Sequence, residues 1–409
     1  MTHIEELFRT INAGLAGMKQ KPLPPLVISG FSSKDLARDI AERLGSRQVE
    51  VDTRLFKIKE LKVTLEGPVR GREVVVVASA SGDPNRMEKE TRLLLRSARN
   101  NGAKSVTLVL PNMFYGRSDD DFDERGTAGL ADTIDTFGPL CDNVIVADPH
   151  NPGLTKELFR THKNIKNVVT THFAYPFAVQ LNTLFNQGIV SRDNLLLTYP
   201  DAGASKRITN SFREALYSTA SINLNPTKKD EWAQAMASRD PKTGQKDITV
   251  TTDVTGRDIV IFEDMVDSGG TAIEIARILK EKGARSVIMF ATTGLFTPDD
   301  RENRDSVIRN INNSPLDAVF ITDTYNHKYV HPEIHEAIKD SPIIHVIETA
   351  PMLAAMIEAM HKQVTSLTEE DENSISSIIR GKHKLQQNGK NLAEPVQLKP
   401  NSPLWKLAA

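Results

Sequence analysis

The chain has 409 residues, of which 25% are charged and 39% are hydrophobic, and its formal net charge at pH 7 is −2. This balance excludes a global field that would attract nucleic acid or an anionic membrane, so any anion site must be local. No apolar run approaches the ~20 residues of a membrane span, and the single cysteine, Cys141, excludes an internal disulfide. We therefore expect a cytoplasmic protein of about two domains that binds neither nucleic acid nor membrane.

Strands alternate with helices along most of the chain. The predicted elements of the first half are the strands Leu26–Ser29, Glu73–Ala78, Ser105–Leu110 and Asn143–Ala147 and the helices Lys34–Leu44 and Met87–Asn100. The second half has predicted strands at Asn194–Thr198, Ser221–Leu224, Ile259–Phe262, Ser286–Ala291, Asp317–Thr322 and Ile343–Ile347, a helix beginning at Ser205 and another at Met352–His361. This alternation predicts an α/β fold with two tandem doubly wound parallel-sheet domains.

The predicted organisation has four parts. They are an N-terminal helix and linker (1–24), a first α/β domain (25–165), a second α/β domain (166–365) and a polar C-terminal extension (366–409). Within the second domain, the polar residues 226–247 are expected to form a loop or a mobile flap.

The stretch DIVIFEDMVDSGGT, residues 258–271, carries the strongest functional signal. The apolar run Ile259–Phe262 is typical of a buried strand, and it is followed by Glu263, Asp264 and Asp267. The turn then consists of Ser268, Gly269, Gly270 and Thr271, and a helical pattern follows it. Free backbone N–H groups at such a helix start suit a phosphate, and glycine lets the backbone approach it closely. The carboxylates suit ribose hydroxyls, so the segment predicts a ribose-phosphate site, although an ordinary βα turn can also carry Gly and Asp.

This segment resembles the ribose 5-phosphate loop of phosphoribosyltransferases and ribose-phosphate pyrophosphokinases (PRPP synthetases). The chain resembles the synthetases in order over residues 26–367, including SASGDPNRMEKETRLLLRSARNNGAKSVTLVLP before the first-domain site and NNSPLDAVFITDT near the end. The resemblance implies domains of the phosphoribosyltransferase type I fold and a homo-oligomer whose ATP site is built across subunits.

On the ATP side, the resemblance implies roles for Arg117, Ser118 and Asp119, although Ser118 stands where the family has Gln. It also implies that Phe56 and Glu60 belong to a hairpin that packs on adenine. Lys59 stands where the hairpin has Gly, which predicts a different turn. Taken alone, the acidic run after Arg117 also fits a solvated turn.

For the metal, the resemblance implies Mg²⁺ held by His150 and Asp201, with Asp148 orienting His150. Lys228 and Lys229 are the candidates for stabilising the transferring phosphates, and a solvated loop is the competing interpretation.

The implied activity is transfer of the diphosphoryl group of ATP to the C1 hydroxyl of ribose 5-phosphate, giving PRPP and AMP. Three alternatives stay open: the same reaction with another donor or acceptor, a non-catalytic regulatory paralogue, and a phosphoribosyltransferase. Two tandem α/β halves argue against the last, which needs only one core.

Overall fold

The computed structural model describes residues 23–119, 127–198, 246–297, 305–361 and 392–408, the strand Ala235–Arg239, and residues 212, 215, 216 and 219. Several predictions lie outside these residues. They concern the N-terminal helix, the helix beginning at Ser205, the strand Ser221–Leu224, Asp201, Lys228 and Lys229.

A parallel five-stranded sheet occupies the first half, in the order β1-β4-β5-β6-β7. The strands of this half are β1 (Leu26–Ser29), β2 (Val51–Leu55), β3 (Leu61–Leu65), β4 (Glu73–Val77), β5 (Ser105–Leu110), β6 (Asn143–Ala147) and β7 (Asn167–Thr171). The helices are α1 (Lys34–Arg43), α2 (Pro84–Asn100), α3 (Gly129–Phe137), α4 (Pro152–Arg160) and α5 (Ala174–Asn186). Strands β2 and β3 form a separate antiparallel hairpin.

The second half forms a second parallel five-stranded sheet, in the order β14-β13-β12-β11-β8. The strands are β8 (Leu195–Thr198), β9 (Ala235–Arg239), β10 (Lys246–Val250), β11 (Asp258–Val266), β12 (Ser286–Gly294), β13 (Ala318–Thr322) and β14 (Ile344–Ile347). The described helices are α6 (Gly270–Glu281), α7 (Ser306–Asn312), α8 (His327–Val330), α9 (Pro332–Asp340) and α10 (Ala350–His361). Two parallel α/β sheets confirm the predicted fold class.

One hydrophobic core joins the two sheets. It contains Val75 and Val77 of β4, Phe262 of β11, and buried faces of α1, α5 and α10, so these helices lie between the sheets. The alternate residues Val74 and Val76 belong instead to a core on the outer face of the first sheet. Side chains of a strand alternate between faces, and a strand covered on both sides therefore reads as a continuous apolar run.

The structure differs from the predicted boundaries at several points. β7 pairs with β6, so the first sheet extends beyond residue 165, where the first domain was predicted to end. Helix α2 begins at Pro84 because Asp83 accepts hydrogen bonds from the N–H groups of Asn85 and Arg86.

The polar segment 226–247 is not entirely a loop. Ala235–Arg239 pairs with Lys246–Val250 as an antiparallel ladder. A two-stranded ribbon needs no continuous apolar run, and composition alone therefore suggested a loop.

The chain end 392–408 packs against the domains. Leu392, Leu398 and Leu404 are buried in the core between the sheets. Gln180 of α5 exchanges two hydrogen bonds with the backbone of Val396, at 2.7 and 3.3 Å. The predicted polar extension thus includes a segment that covers the shared core. No helix in the described parts of the chain is long and apolar enough to cross a bilayer.

Candidate active site

The two acids of the predicted ribose-phosphate segment lie inside β11, not beyond its end. β11 pairs with β12 as far as Val266, opposite Gly294, whereas the sequence predicted that the strand ends at Phe262. Successive strand residues face opposite sides, so Glu263 is half-buried while Asp264 is 8% exposed. Two carboxylates in mid-strand interrupt the apolar pattern, which explains why sequence analysis ended the strand early.

Asp264 is the point at which the two domains meet. Nδ1 of His150, just after β6, lies 2.8 Å from Oδ2 of Asp264. Nη2 of Arg117, in the turn after β5, lies 4.0 Å from Oδ1, which also accepts a 2.8 Å hydrogen bond from the N–H of Met265. The sequence assigned these residues to separate metal, ATP and ribose sites, and the structure brings them together around one buried carboxylate.

The predicted phosphate-binding turn lies between β11 and α6. Gly269 has φ of +74°, in the left-handed region that favours glycine, and α6 begins at Gly270. Asp267, Ser268 and Gly270 are exposed, and Thr271 is half-buried. Unpaired N–H groups at the start of a helix and the positive end of its dipole suit an anion.

Asp148 has a different neighbourhood from the one predicted. It has φ of +45°, an uncommon conformation for a residue other than glycine. Its side chain is 5% exposed; Oδ1 lies 2.6 Å from Nδ1 of His172, and Oδ2 accepts a hydrogen bond from the hydroxyl of Thr292 at the end of β12. The carboxylate that contacts the imidazole of His150 is therefore Asp264, while Asp148 joins the carboxyl edges of the two sheets.

Sequence analysis missed His172, Thr292 and Tyr325. Tyr325 lies after β13 and is not part of the sheet. Its hydroxyl accepts a 3.1 Å hydrogen bond from the N–H of Gly82 in the first domain. Burial raises the pKa of Tyr325, and the charge of Asp267 raises it further, so the ring lies near the glycine turn. A usable signal was present for Thr292 and Tyr325, which lie near the carboxyl ends of the apolar strands β12 and β13, but not for His172, because β7 has no continuous apolar run.

The remaining ATP-side candidates have other local contacts. Oγ of Ser118 accepts a 3.0 Å hydrogen bond from the N–H of Gly129, at the start of α3. Asp119 is half-buried. Phe56 and Glu60 close the exposed β2–β3 hairpin by a 2.9 Å backbone hydrogen bond, and the Phe56 residue is 51% exposed.

Lys59 lies in the turn of the β2–β3 hairpin. Lys59 has φ of +69°, so lysine adopts the left-handed conformation that glycine favours. Such a conformation costs an L-residue about 1–2 kcal/mol.

The metal prediction involves His150 and Asp201, and Asp201 lies outside the described residues. Over the described parts of the chain, no three His, Cys, Asp or Glu side chains are close enough to hold a metal ion. Mg²⁺ is commonly bound by one or two carboxylates together with substrate phosphates. The described residues around Asp264 supply carboxylates and an imidazole, which are oxygen and nitrogen donors, but they do not form a complete metal site.

Comparison with known proteins places both halves of the chain. Residues 26–137 match the model of the N-terminal domain of ribose phosphate pyrophosphokinase, and residues 208–368 match that of the phosphoribosyl synthetase-associated domain. A ribose-phosphate pyrophosphokinase of Aquifex aeolicus is 27% identical over 326 residues, which are 76% of this chain and 94% of the relative. Ribose-phosphate pyrophosphokinase 4 of Saccharomyces cerevisiae is 27% identical over 340 residues, 82% of this chain and 91% of the relative.

A solved structure shares the fold. The phosphoribosylpyrophosphate synthetase from Mycobacterium smegmatis superposes with a TM-score of 0.67 at 20% identity, covering 83% of this chain and 99% of that one. Both halves match one family in the same order, and the two relatives are covered over 94% and 91% of their length. The chain therefore belongs to the ribose-phosphate pyrophosphokinase family.

Proposed function

We propose that this protein is a ribose-phosphate diphosphokinase, which transfers the β,γ-diphosphoryl group of ATP to the C1 hydroxyl of ribose 5-phosphate. The observation that carries the proposal is the contact of His150 and Arg117 with Asp264. It brings the strand ends of one sheet to the strand that leads into the glycine turn of the other. A nucleotide on the first domain and a ribose phosphate on the second would then share one crevice. Transfer requires this proximity, because the C1 hydroxyl must be aligned with the β-phosphorus.

The ribose 5-phosphate would be held at the β11–α6 corner. Its phosphate would accept hydrogen bonds from the N–H groups of Ser268 to Thr271, where the positive φ of Gly269 bends the backbone around the anion. Glu263, Asp264 and Asp267 would accept hydrogen bonds from the ribose hydroxyls. The first domain helps to orient the carboxylate of Asp264, since His150 lies 2.8 Å and Arg117 4.0 Å from its oxygens.

The ATP would lie at the strand ends of the first domain. Arg117, which is 53% exposed on its side chain, would contact the phosphates, with Ser118 and Asp119 beside it. When bound, Mg²⁺ would neutralise charge on the phosphates, and His150 and Asp201 are the residues that would meet it. With Nδ1 turned to Asp264, Nε2 is the nitrogen through which His150 would meet the metal or its water.

In the transfer, the C1 oxygen forms a bond to the β-phosphorus as the bond from that phosphorus to the α,β-bridging oxygen breaks. AMP leaves with the bridging oxygen, and the hydroxyl proton is released. The protein's task is alignment and stabilisation of charge on the transferring phosphates. Lys228 or Lys229 would supply positive charge, and closure over the site would exclude water that hydrolyses ATP.

The structure gives one reason to consider a different donor. Ser118 stands where the resemblance has Gln, and its hydroxyl accepts the N–H of Gly129 at the start of α3. A short side chain engaged in this way contacts a base differently from Gln, so the same transfer from another nucleoside triphosphate is the second candidate.

We further propose a homo-oligomer, since the β2–β3 hairpin exposes a group of apolar side chains at its tip. Leu55, Phe56 and Ile58 are 43%, 51% and 73% exposed. Such a group is typical of a contact surface. Light scattering of the full chain, with and without Ile58→Asp, would test it; a wild-type monomer at micromolar concentration would refute the oligomer.

The deciding experiment follows AMP and PRPP formation by the purified chain from ATP and ribose 5-phosphate, with and without Mg²⁺. We expect turnover that requires Mg²⁺ and falls by at least about 100-fold in Asp264→Ala and in Asp267→Ala. Asp193→Ala, which removes an exposed acid outside the site, is the control and should leave the rate unchanged.

Parallel assays separate the alternatives. Turnover with another nucleoside triphosphate in place of ATP would support the donor variant. No turnover with any donor, together with a changed rate when the chain is mixed with an active relative, would replace the proposal with a regulatory role.

A further inference from the structure

A cavity of about 450 Å³ lies between the domains, beyond the carboxyl ends of β1, β4 and β13. Its walls come from the residues that follow β1 and β4 in the first domain, and from the ends of β13 and β14 with α9 in the second. None of the residues around Asp264 lines it. Ligands of doubly wound sheets bind beyond the carboxyl ends of strands, and this cavity occupies such a position at β1 and β13.

The main polar group of this cavity is Asp323, directly after β13. Thr349 donates two hydrogen bonds to Oδ1 of Asp323, from its backbone N–H at 3.0 Å and from its hydroxyl at 2.6 Å. A carboxylate has about four acceptor positions, so the hydrogen bonds from Thr349 leave acceptor capacity for a molecule in the cavity. Burial, with a smaller contribution from the charge of Glu348, raises the pKa of Asp323 to about 6.

The lysines that line the cavity are engaged elsewhere. Nζ of Lys328 lies 2.9 Å from Asp35, and Nζ of Lys339 lies 3.0 Å from Glu336. Nζ of Lys399 donates to the carbonyls of Ile338 and Ser341, at 2.7 and 2.6 Å. Within the described residues, Asp323 therefore has no ion pair. Asp323 is half-buried. A carboxylate that is partly removed from water and lacks a cation is unfavourable, and such groups are often found where a ligand binds.

Much of the wall surface is apolar. Leu36 from the first domain and Ile321, Ile338, Ile344 and Val346 from the second supply apolar side chains, and Ser, Thr, Asn and His residues also line the cavity. The carboxylates of Asp39 and Glu348 add negative charge, with side chains 41% and 62% exposed. Apolar surface beside a half-buried acid that has no ion pair suits a molecule with an apolar body and a cationic hydrogen-bond donor.

We propose that this cavity is a binding site for a small amine or amidine with an apolar body, and that Asp323 is the residue that recognises its cationic group. The contact of the ligand with Oδ2 would supply the ion pair that the protein does not provide. The cavity and the ribose-phosphate turn are adjacent, since Tyr325 lines the cavity and is influenced by the charge of Asp267, but amine binding can be measured directly, without the proposed transfer reaction.

The test uses calorimetric titration of the full-length protein at pH 7.5 with tryptamine and with benzamidine. Tryptophol and benzamide are the matched neutral probes. We expect saturable binding of at least one amine at one site, about tenfold or more tighter than its neutral counterpart. Asp323→Asn should weaken amine binding by about tenfold or more, because the amide keeps the shape but removes the charge.

Two further variants keep the result interpretable. Val346→Trp, at a residue 38% exposed on the cavity wall, should block binding while Asp323 stays intact. Asp39→Asn, which removes a partly exposed acid of the same wall, should change affinity by less than about threefold. The proposal is overturned if neither amine saturates the protein by ~10 mM, or if the neutral probes or Asp323→Asn bind equally well.

Discussion

Replacing Thr292 by Val tests how the two sheets are held in register at the proposed active site. Valine keeps the volume of threonine but removes the hydroxyl that donates to Oδ2 of Asp148. That carboxylate is 5% exposed, and among the residues that the structure describes it keeps the contact of its other oxygen with His172. Loss of a hydrogen bond to a buried charged group costs about 1.5–3 kcal/mol, so we expect the free energy of unfolding to fall by about 2 kcal/mol.

The same substitution should slow the proposed transfer. Asp148 lies two residues before His150, and its backbone has φ of +45°, so a carboxylate held less firmly would let the segment after β6 relax. The contact of His150 with Asp264 would then lose its alignment, which we expect to lower kcat by about tenfold. The KM for ribose 5-phosphate should change by less than about threefold, because the glycine turn is untouched.

Thr293→Val is the matched control. Thr293 is equally buried on the same strand, but its hydroxyl faces that of Thr324 at 3.3 Å, a contact between neutral groups. We expect a loss of at most about 1 kcal/mol and no change in kcat. Thr292→Ser, which restores the hydroxyl, should recover the rate. Equal kinetics for Thr292→Val and Thr293→Val, measured beside urea unfolding of both, would refute the reasoning.

Four stability predictions can be checked by urea or thermal unfolding. Asp323→Asn should stabilise the protein at pH 7.5 by up to about 3 kcal/mol, and by little near pH 4. The reason is that the folded pKa of Asp323, about 6, exceeds the usual 3.8, so the wild type loses stability as the pH rises from 3.8 to 6. His345→Leu should raise stability at pH 5 by about 2 kcal/mol, because burial lowers the pKa of His345 to about 4 and the wild type loses stability as pH falls from 6.5 to 4; an unchanged pH profile would contradict this. Lys59→Gly should stabilise by about 1 kcal/mol by relieving the left-handed backbone, and a loss would show that the lysine side chain contributes there. Leu404→Ala should destabilise by about 2–5 kcal/mol, whereas an effect below about 0.5 kcal/mol would show that the chain end is not packed in the core.

The sequence predicted the sheets well because their signal is local. The run Glu73–Val77 is buried on both faces, and such a strand is recognisable without knowing its neighbours. β7 was not predicted, since Asn167–Thr171 has only two valines among polar residues and reads as a connection. Its burial comes from pairing with β6 and from the helix that covers it, and neither is visible in a five-residue window.

The site was predicted as a list of residues but not as an arrangement. Each of His150, Arg117 and Asp264 was identified from its place near a strand end. The pairing of His150 with Asp264, 114 positions away, depends on how the two sheets meet. The nearer acid, Asp148, was the natural candidate by sequence distance, yet its backbone turns it towards His172 and Thr292.

The two interdomain sites differ in how their acids are neutralised. Asp264 receives His150 and Arg117 from the opposite domain, so the protein itself supplies its positive and hydrogen-bonding partners. Asp323 lies directly after β13 of the same sheet, whereas Asp264 lies within β11, and among the described side chains it is the neutral Thr349 that donates to Asp323. Since Asp264 is buried and Asp323 is half-buried, the second is the one whose charge is left for a ligand to balance. Retaining such an acid where Asn would be more stable is the pattern expected of a residue kept for binding.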